Sequence, residues 1–130
     1  MTTSRGETIL VIDDEEIVLS LLQRSFERMG YRVIAASNGA EAVEAFREHA
    51  GEIAGVVLDL TMPKMSGEQV FDALREIDPM VRVILTSGFS EQESISRFGD
   101  RSVVGFIQKP FRPLKIIEKA KSLFNLRDGS

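Results

Sequence analysis

A chain of 130 residues, 43% apolar and 28% charged, has the size and composition of one ordinary globular domain. Its net charge of −4, from 16 basic and 20 acidic residues, argues against a nucleic-acid surface, which needs clustered Lys and Arg. With no cysteine it carries neither a disulfide scaffold nor a zinc–thiolate site, and no apolar run approaches the roughly 18 residues of a membrane span.

The opening stretch "MTTSRGET" lacks the apolar core of a secretory leader, so the cytoplasm is the expected compartment. Residues 1–6 and 127–130 are polar and read as flexible ends around a single domain with a core of about 7–126. The first apolar run, "TILVID" (8–13), runs straight into further acids in "LVIDDEE". Like charges at that density repel, so a cation is expected among them. Val18, Leu22, Phe26 and Met29 then recur at helical spacing, and Gly30 supplies a helix terminator.

"YRVIAA" (31–36) is a second strand, and "NGAE" starts a second helix, with Asn38 as cap and Glu41 reaching back. "GVVLDL" (55–60) is a third strand. "SGEQ" repeats the capping pattern with Ser66 and Gln69, and Val70, Phe71, Leu74 and Ile77 should face inward. After "VRVILT" (81–86), Ser90 and Glu93 cap a short fourth helix that has only Ile95 and Phe98 to bury. Its thin apolar face makes it the helix expected to be least firmly held. "VVGFIQ" (103–108) is the fifth strand, and a last helix from Pro113 should bury Leu114, Ile117, Ala120 and Phe124.

The strand runs are rich in Val and Ile and several are nearly continuous in apolar character, the pattern of parallel strands covered on both faces. Five strand–helix alternations with right-handed crossovers give an α/β fold with helices on both sides of a parallel sheet. Ligands of such sheets bind beyond the carboxyl ends of the strands. Those ends carry Asp13 and Asp14, then Asp59, then Thr86 with Ser87 beside it, then Lys109. The second strand ends in Ala35 and Ala36, with nothing reactive.

Two unit charges about 4 Å apart interact by roughly 4 kcal/mol at an effective dielectric near 20. Three carboxylates brought together therefore take up protons or draw in a cation. Oxygen ligands without His or Cys favour magnesium, calcium or manganese, and magnesium sites keep positions for phosphate oxygens. Lys109 is then a second cation for the same anion, and a carboxylate beside a metal is a known nucleophile forming aspartyl-phosphate.

"VIDDEE", "VVLDLTMPKMSG", "VILTSGFSEQE" and "GFIQKPF", in this order and spacing, resemble the receiver domain of two-component response regulators over about Glu7 to Leu126. The resemblance implies a doubly wound, flavodoxin-like, five-stranded sheet of order 2-1-3-4-5 with five helices. It implies Asp59 as phosphoacceptor from a phosphohistidine on a histidine kinase or histidine phosphotransfer domain. It implies Mg2+ held by Asp13 (largely through water), Asp14, Asp59 and the backbone carbonyl of Thr61. Lys109 would balance phosphoryl charge, with its bond to Pro110 commonly cis in the family. Thr86 would move to the phosphoryl group, letting Phe106 turn inward and altering the face of the fourth helix, fifth strand and fifth helix. Ser87 is the alternative switch hydroxyl.

Some positions depart from the family pattern. Phe106 stands where the family often has Tyr, so no hydrogen-bonded readout through that ring is implied. Thr61 and Gly88 occupy positions that often carry acids or amides influencing hydrolysis; neither positions water in an obvious way. "GETILVIDDEE" and "LTSGFSEQE" are similar to receivers fused to hybrid sensor kinases, and no output domain is legible after the last helix. No nucleic-acid or membrane partner is expected, and the oligomeric state is a monomer or weak dimer.

Taken singly, each residue also has a plain structural role. An Asp pair after a strand commonly caps a turn, and Met62 and Met65 fill gaps or sit at the surface. His49, the single histidine, ends a helix and is expected to be exposed. An alternative function is a magnesium-dependent phosphatase working through an aspartyl-phosphate. That class places a second acid two residues after the nucleophile, where this chain has Thr61. A nucleotide-binding domain is a third class, but the first turn lacks a glycine fingerprint.

Overall fold

The computed structural model describes residues 7–99, 101 and 105–126. The ends at 1–6 and 127–130, and the first two residues of the "VVGFIQ" strand, lie outside the described residues. Among the described residues ten elements alternate: β1 (Thr8–Ile12), α1 (Glu16–Arg28), β2 (Arg32–Ala36), α2 (Gly39–His49) and β3 (Ile53–Asp59) form the first half. The second half is α3 (Gly67–Ile77), β4 (Val83–Ser87), α4 (Glu91–Phe98), β5 (Gly105–Gln108) and α5 (Pro113–Leu123). All strand pairs are parallel, in the order β2-β1-β3-β4-β5.

Strand side chains alternate between faces, and the sheet separates two apolar cores accordingly. Leu10, Ile12, Val56, Leu58, Val83, Leu85 and Phe106 pack with α2, α3 and α4 through Phe46, Phe71, Leu74 and Phe98. Ile9, Val11, Val57, Ile84 and Ile107 pack with α1 and α5 through Leu22, Phe26, Ile116 and Ile117. The central strands are buried on both faces, which is why their sequences do not alternate.

Local signals set the helix ends. Gly30 takes φ 98°, and the N–H groups of Gly30 and Tyr31 reach the carbonyls of Glu27 and Phe26, closing α1 in a Schellman turn. Asn125, at φ 59°, closes α5 the same way, with the Leu126 N–H on the Lys121 carbonyl. Ser66 with Gln69 and Ser90 with Glu93 form reciprocal capping boxes, and Pro113 opens α5. Asn38 caps α2 through the Glu41 N–H, but the Glu41 carboxylate accepts from the Ser37 N–H instead of reaching the cap residue.

Three burial expectations are corrected. Met29 is the C-cap of α1 and is exposed, and Leu19 joins the buried stripe in its place. Ile95 is 53% exposed because Ser94, one position earlier, is the residue α4 turns inward with Phe98. Leu114 is 57% exposed, and Ile116 takes the inward position on α5. The other expected core residues of these helices, Phe98 on α4 and Ile117 and Ala120 on α5, are buried as expected, so the error is confined to single positions at the edge of each apolar face.

Candidate functional site

The carboxyl ends of β1, β3, β4 and β5 bring the predicted residues together. Asp13 directly follows β1, where its N–H donates to the Ala36 carbonyl at 3.1 Å. Asp59 is the last residue of β3. Both are nearly inaccessible, at 2% and 1% exposure, whereas Asp14 is exposed at the rim. Carboxylate oxygens of Asp13, Asp14 and Asp59 all lie within 4.8 Å of one another.

Each buried carboxylate is held from two sides. One Asp13 oxygen accepts from the Glu15 N–H at 2.9 Å, and the other meets the Lys109 ammonium at 2.9 Å. One Asp59 oxygen accepts from the Thr61 N–H at 3.1 Å and its hydroxyl at 3.2 Å; the other faces Lys109 at 3.3 Å. Lys109 is itself aimed by its backbone. Its N–H donates to the Ser87 carbonyl at 2.7 Å, and the Lys109–Pro110 peptide is cis.

The electrostatics follow from burial. Loss of water pushes Asp13 up to about 6, against the lowering pull of the Glu15 N–H and of Lys109. Asp14 is raised by partial burial and then by the charge of Asp59. Burial pulls the Lys109 ammonium down, but hydrogen bonds to Asp13 and Glu15 and the charges of Asp59 and Asp13 outweigh it, holding it above the usual lysine range. The centre is thus short of positive charge by its own residues: one ammonium stands against three clustered aspartates.

Thr86 is buried at 1% and pairs in register with Asp59. Ser87 is fully buried, but its hydroxyl already accepts from the Phe89 N–H at 2.9 Å. Phe106 is 9% exposed and sits in the core with Leu85 and Phe98. His49 ends α2 beside Glu48 and Glu52, away from the cluster, with its side chain 40% exposed.

Sequence reasoning missed Glu15. Its carboxylate lies 3.0 Å from the Lys109 ammonium, between Asp13 at 2.9 Å and Asp59 at 3.3 Å. The signal was in "LVIDDEE", where a run of acids extends beyond the pair that the strand end explains.

A parallel 2-1-3-4-5 sheet with acids at the β1/β3 switch point and a lysine after β5 defines a doubly wound, flavodoxin-like domain with an acidic site at its carboxyl edge. The chain belongs to the response regulator receiver domain family, whose sequence model matches residues 9–121. It is similar to the chemotaxis protein CheY of Thermotoga maritima, 32% identical over 114 residues, 87% of this chain and 93% of that protein. It is also similar to part of the sensor kinase CckA of Brucella abortus, 31% identical over 96% of this chain and 13% of the kinase. Among solved structures it resembles the CheX–CheY–BeF3–Mg2+ complex of Borrelia burgdorferi, with TM-score 0.82 and 30% identity over 90% of this chain and 88% of that one. A receiver protein from Sinorhizobium medicae matches at TM-score 0.78 and 34% identity, over 91% and 94% of the two chains.

The protein is therefore a receiver domain of two-component signalling, a phosphoacceptor module rather than a classical enzyme. The phosphatase alternative finds no support among these relatives. No helix among the described residues is long and apolar enough to cross a membrane.

Proposed function

We propose that Asp59 accepts a phosphoryl group from a phosphohistidine on a histidine kinase or histidine phosphotransfer domain, in the cytoplasm. The observation carrying this reading is the convergence on Asp59. One of its oxygens is fixed by two Thr61 donors, and the other faces Lys109 from the far end of the chain. The carboxylate is oriented at the carboxyl edge of the sheet, beside the exposed Asp14. An Asp59 oxygen forms the new bond to phosphorus, the P–N bond breaks, and the electron pair leaves with the donor imidazole. Lys109 donates to a phosphoryl oxygen and offsets its charge.

The donor set fits a hard divalent ion, since Asp13, Asp14 and Asp59 offer only oxygen. Asp14, Asp59 and the Thr61 carbonyl would hold Mg2+, with Asp13 acting largely through water. When bound there, Mg2+ neutralises charge on the transferring group. Thr86 is the hydroxyl that answers the new anion, because as the register partner of Asp59 it shares that face of the sheet, whereas Ser87, the next strand residue, is turned to the other face. The α4–β5–α5 face is the surface read out, because β5 pairs with the strand that carries Thr86 and its Phe106 packs in one core with Phe98 of α4.

Incubation with Mg2+ and acetyl phosphate tests this. Intact-mass analysis should show one added phosphoryl group, absent in Asp59→Asn. Normal labelling of Asp59→Asn, or steady turnover without an adduct, would defeat the assignment.

A further inference from the structure

Glu15 has no task in the transfer just described. It is the N-cap residue of α1, but its side chain makes no cap bond. It instead crosses to Lys109, 94 positions away in the chain, placing a carboxylate oxygen 3.0 Å from the ammonium. Both backbones are fixed where this occurs. The Glu15 N–H donates to Asp13 at 2.9 Å, its carbonyl accepts from the Leu19 N–H at 3.0 Å, and Lys109 is held by the Ser87 carbonyl.

The ammonium has three protons, and three carboxylates surround it: Asp13 at 2.9 Å, Glu15 at 3.0 Å and Asp59 at 3.3 Å. Their duties differ. Asp13 and Asp59 belong to the cluster suited to a divalent ion, and Glu15 does not. Two cations sharing one set of oxygens compete, so the lysine's hold on both aspartates weakens when the cluster is filled. Asp59 also gives up an oxygen to phosphorus. Glu15 alone of the three keeps its lone pairs for the lysine throughout.

We propose that Glu15 is a positioning residue for phosphoryl transfer, its carboxylate tethering the Lys109 ammonium over Asp59 so that one N–H is free for the arriving phosphoryl oxygen. This rests on the reading of Asp59 as acceptor and Lys109 as its cationic partner. Glu15 touches neither the acceptor nor the phosphoryl group and acts only through Lys109. Its side chain is 61% exposed, so the tether is of surface strength, and its loss should slow labelling about three- to fivefold rather than abolish it.

The test uses the full chain with Mg2+ and acetyl phosphate, comparing Glu15→Ala and Glu15→Gln in wild-type and Lys109→Ala backgrounds. Glu15→Ala should lower the initial labelling rate about three- to fivefold. Glu15→Gln, which keeps an acceptor oxygen, should recover part of it. Neither change should matter once Lys109 is Ala. Magnesium affinity by calorimetry should stay within about twofold, since Glu15 lies outside the ion cluster. By NMR, the Lys109 ammonium signal should lose protection from exchange in Glu15→Ala while the backbone amides of Asp13 and Asp59 keep their positions. An unchanged labelling rate, or the same loss in the Lys109→Ala background, overturns the proposal. Labelling confined to Asp59 with no Glu15 effect removes the tether alone. Normal labelling of Asp59→Asn removes the acceptor reading beneath it and the tether with it.

Discussion

Asp59 and Thr86 sit side by side on neighbouring parallel strands, direct partners in the β3–β4 register and both about 1% exposed. Register partners project to the same side of the sheet, so the Thr86 hydroxyl can answer a charge placed on Asp59 with little backbone movement. Thr86→Val keeps the shape and β-branching but removes the hydroxyl. Stability should change by no more than about 1 kcal/mol, and Asp59 should still label. The amide shift changes that labelling produces in α4 and β5 should shrink. Ser87→Ala should preserve them, because that hydroxyl serves the Phe89 turn. The reverse pattern would make Ser87 the switch.

Asp13 gives a pH dependence with a definite sign. Its carboxyl sits at about 6 in the folded protein against an ordinary 3.8, chiefly through burial. The folded state therefore holds more protons than the unfolded chain between these values, and stability falls as pH rises through that window. Asp13→Asn should remove the penalty. At pH 7 without divalent ions it should be more stable by about 1–3 kcal/mol in urea unfolding, and the advantage should vanish near pH 3.5. Protons also compete for the ion cluster, so Mg2+ affinity of the wild type should weaken as pH drops through about 6. A flat affinity between pH 7.5 and about 5 would contradict the assigned cause.

The carboxyl-end constellation was legible because topology does the gathering. Once five parallel strands are recognised, Asp13, Asp59, Thr86 and Lys109 must share an edge whatever their separation in sequence. The edges of the helix faces were less legible. Ser94 and Ile95 compete for one inward position on α4, and hydropathy favours the isoleucine; packing under a short helix turned the serine in. Leu114 and Ile116 pose the same ambiguity on α5. Glu15 escaped because an acid next to an acidic pair reads as helix-start chemistry, and only the tertiary approach of Lys109 separates the two roles.

Gly55 is a packing requirement that no turn signal announces. It lies inside β3, and a Cβ built there would overlap the Phe124 ring at the end of α5. Phe124 is buried at 4% and has no solvent side to move into cheaply. Gly55→Ala should therefore destabilise the domain by about 1–3 kcal/mol in urea unfolding, despite the better strand propensity of Ala. Gly51, exposed and with nothing within 4 Å of where an added methyl would lie, is the control, and Gly51→Ala should fall within about 0.5 kcal/mol of wild type. Equal effects at the two sites would rule out the clash.

The short helix α4 is fastened to α3 by charge where its apolar face is thin. Arg97 grips Glu68 through two bonds at 3.2 and 3.1 Å, and Arg101 grips Asp72 through two at 2.8 and 2.9 Å. The partners are four apart on each side, so the clamps repeat down one seam, with Phe71 and Phe98 edge to face between the helices at 5.5 Å. Two partly exposed pairs add little to global stability, about 1 kcal/mol or less each. Their effect should be local. Arg97→Ala with Arg101→Ala should raise amide exchange in α4 about tenfold and leave β1 and β3 unchanged. High salt should act on the wild type in the same direction. The Arg101 hydrogen bond holds Asp72 below its ordinary 3.8, so this clamp contributes above that pH and is lost as pH falls below it. Arg101→Lys should not restore protection, because an ammonium cannot reproduce the two-pronged grip on Asp72. Unchanged α4 exchange in the double variant would mean that Phe98 alone fastens the helix.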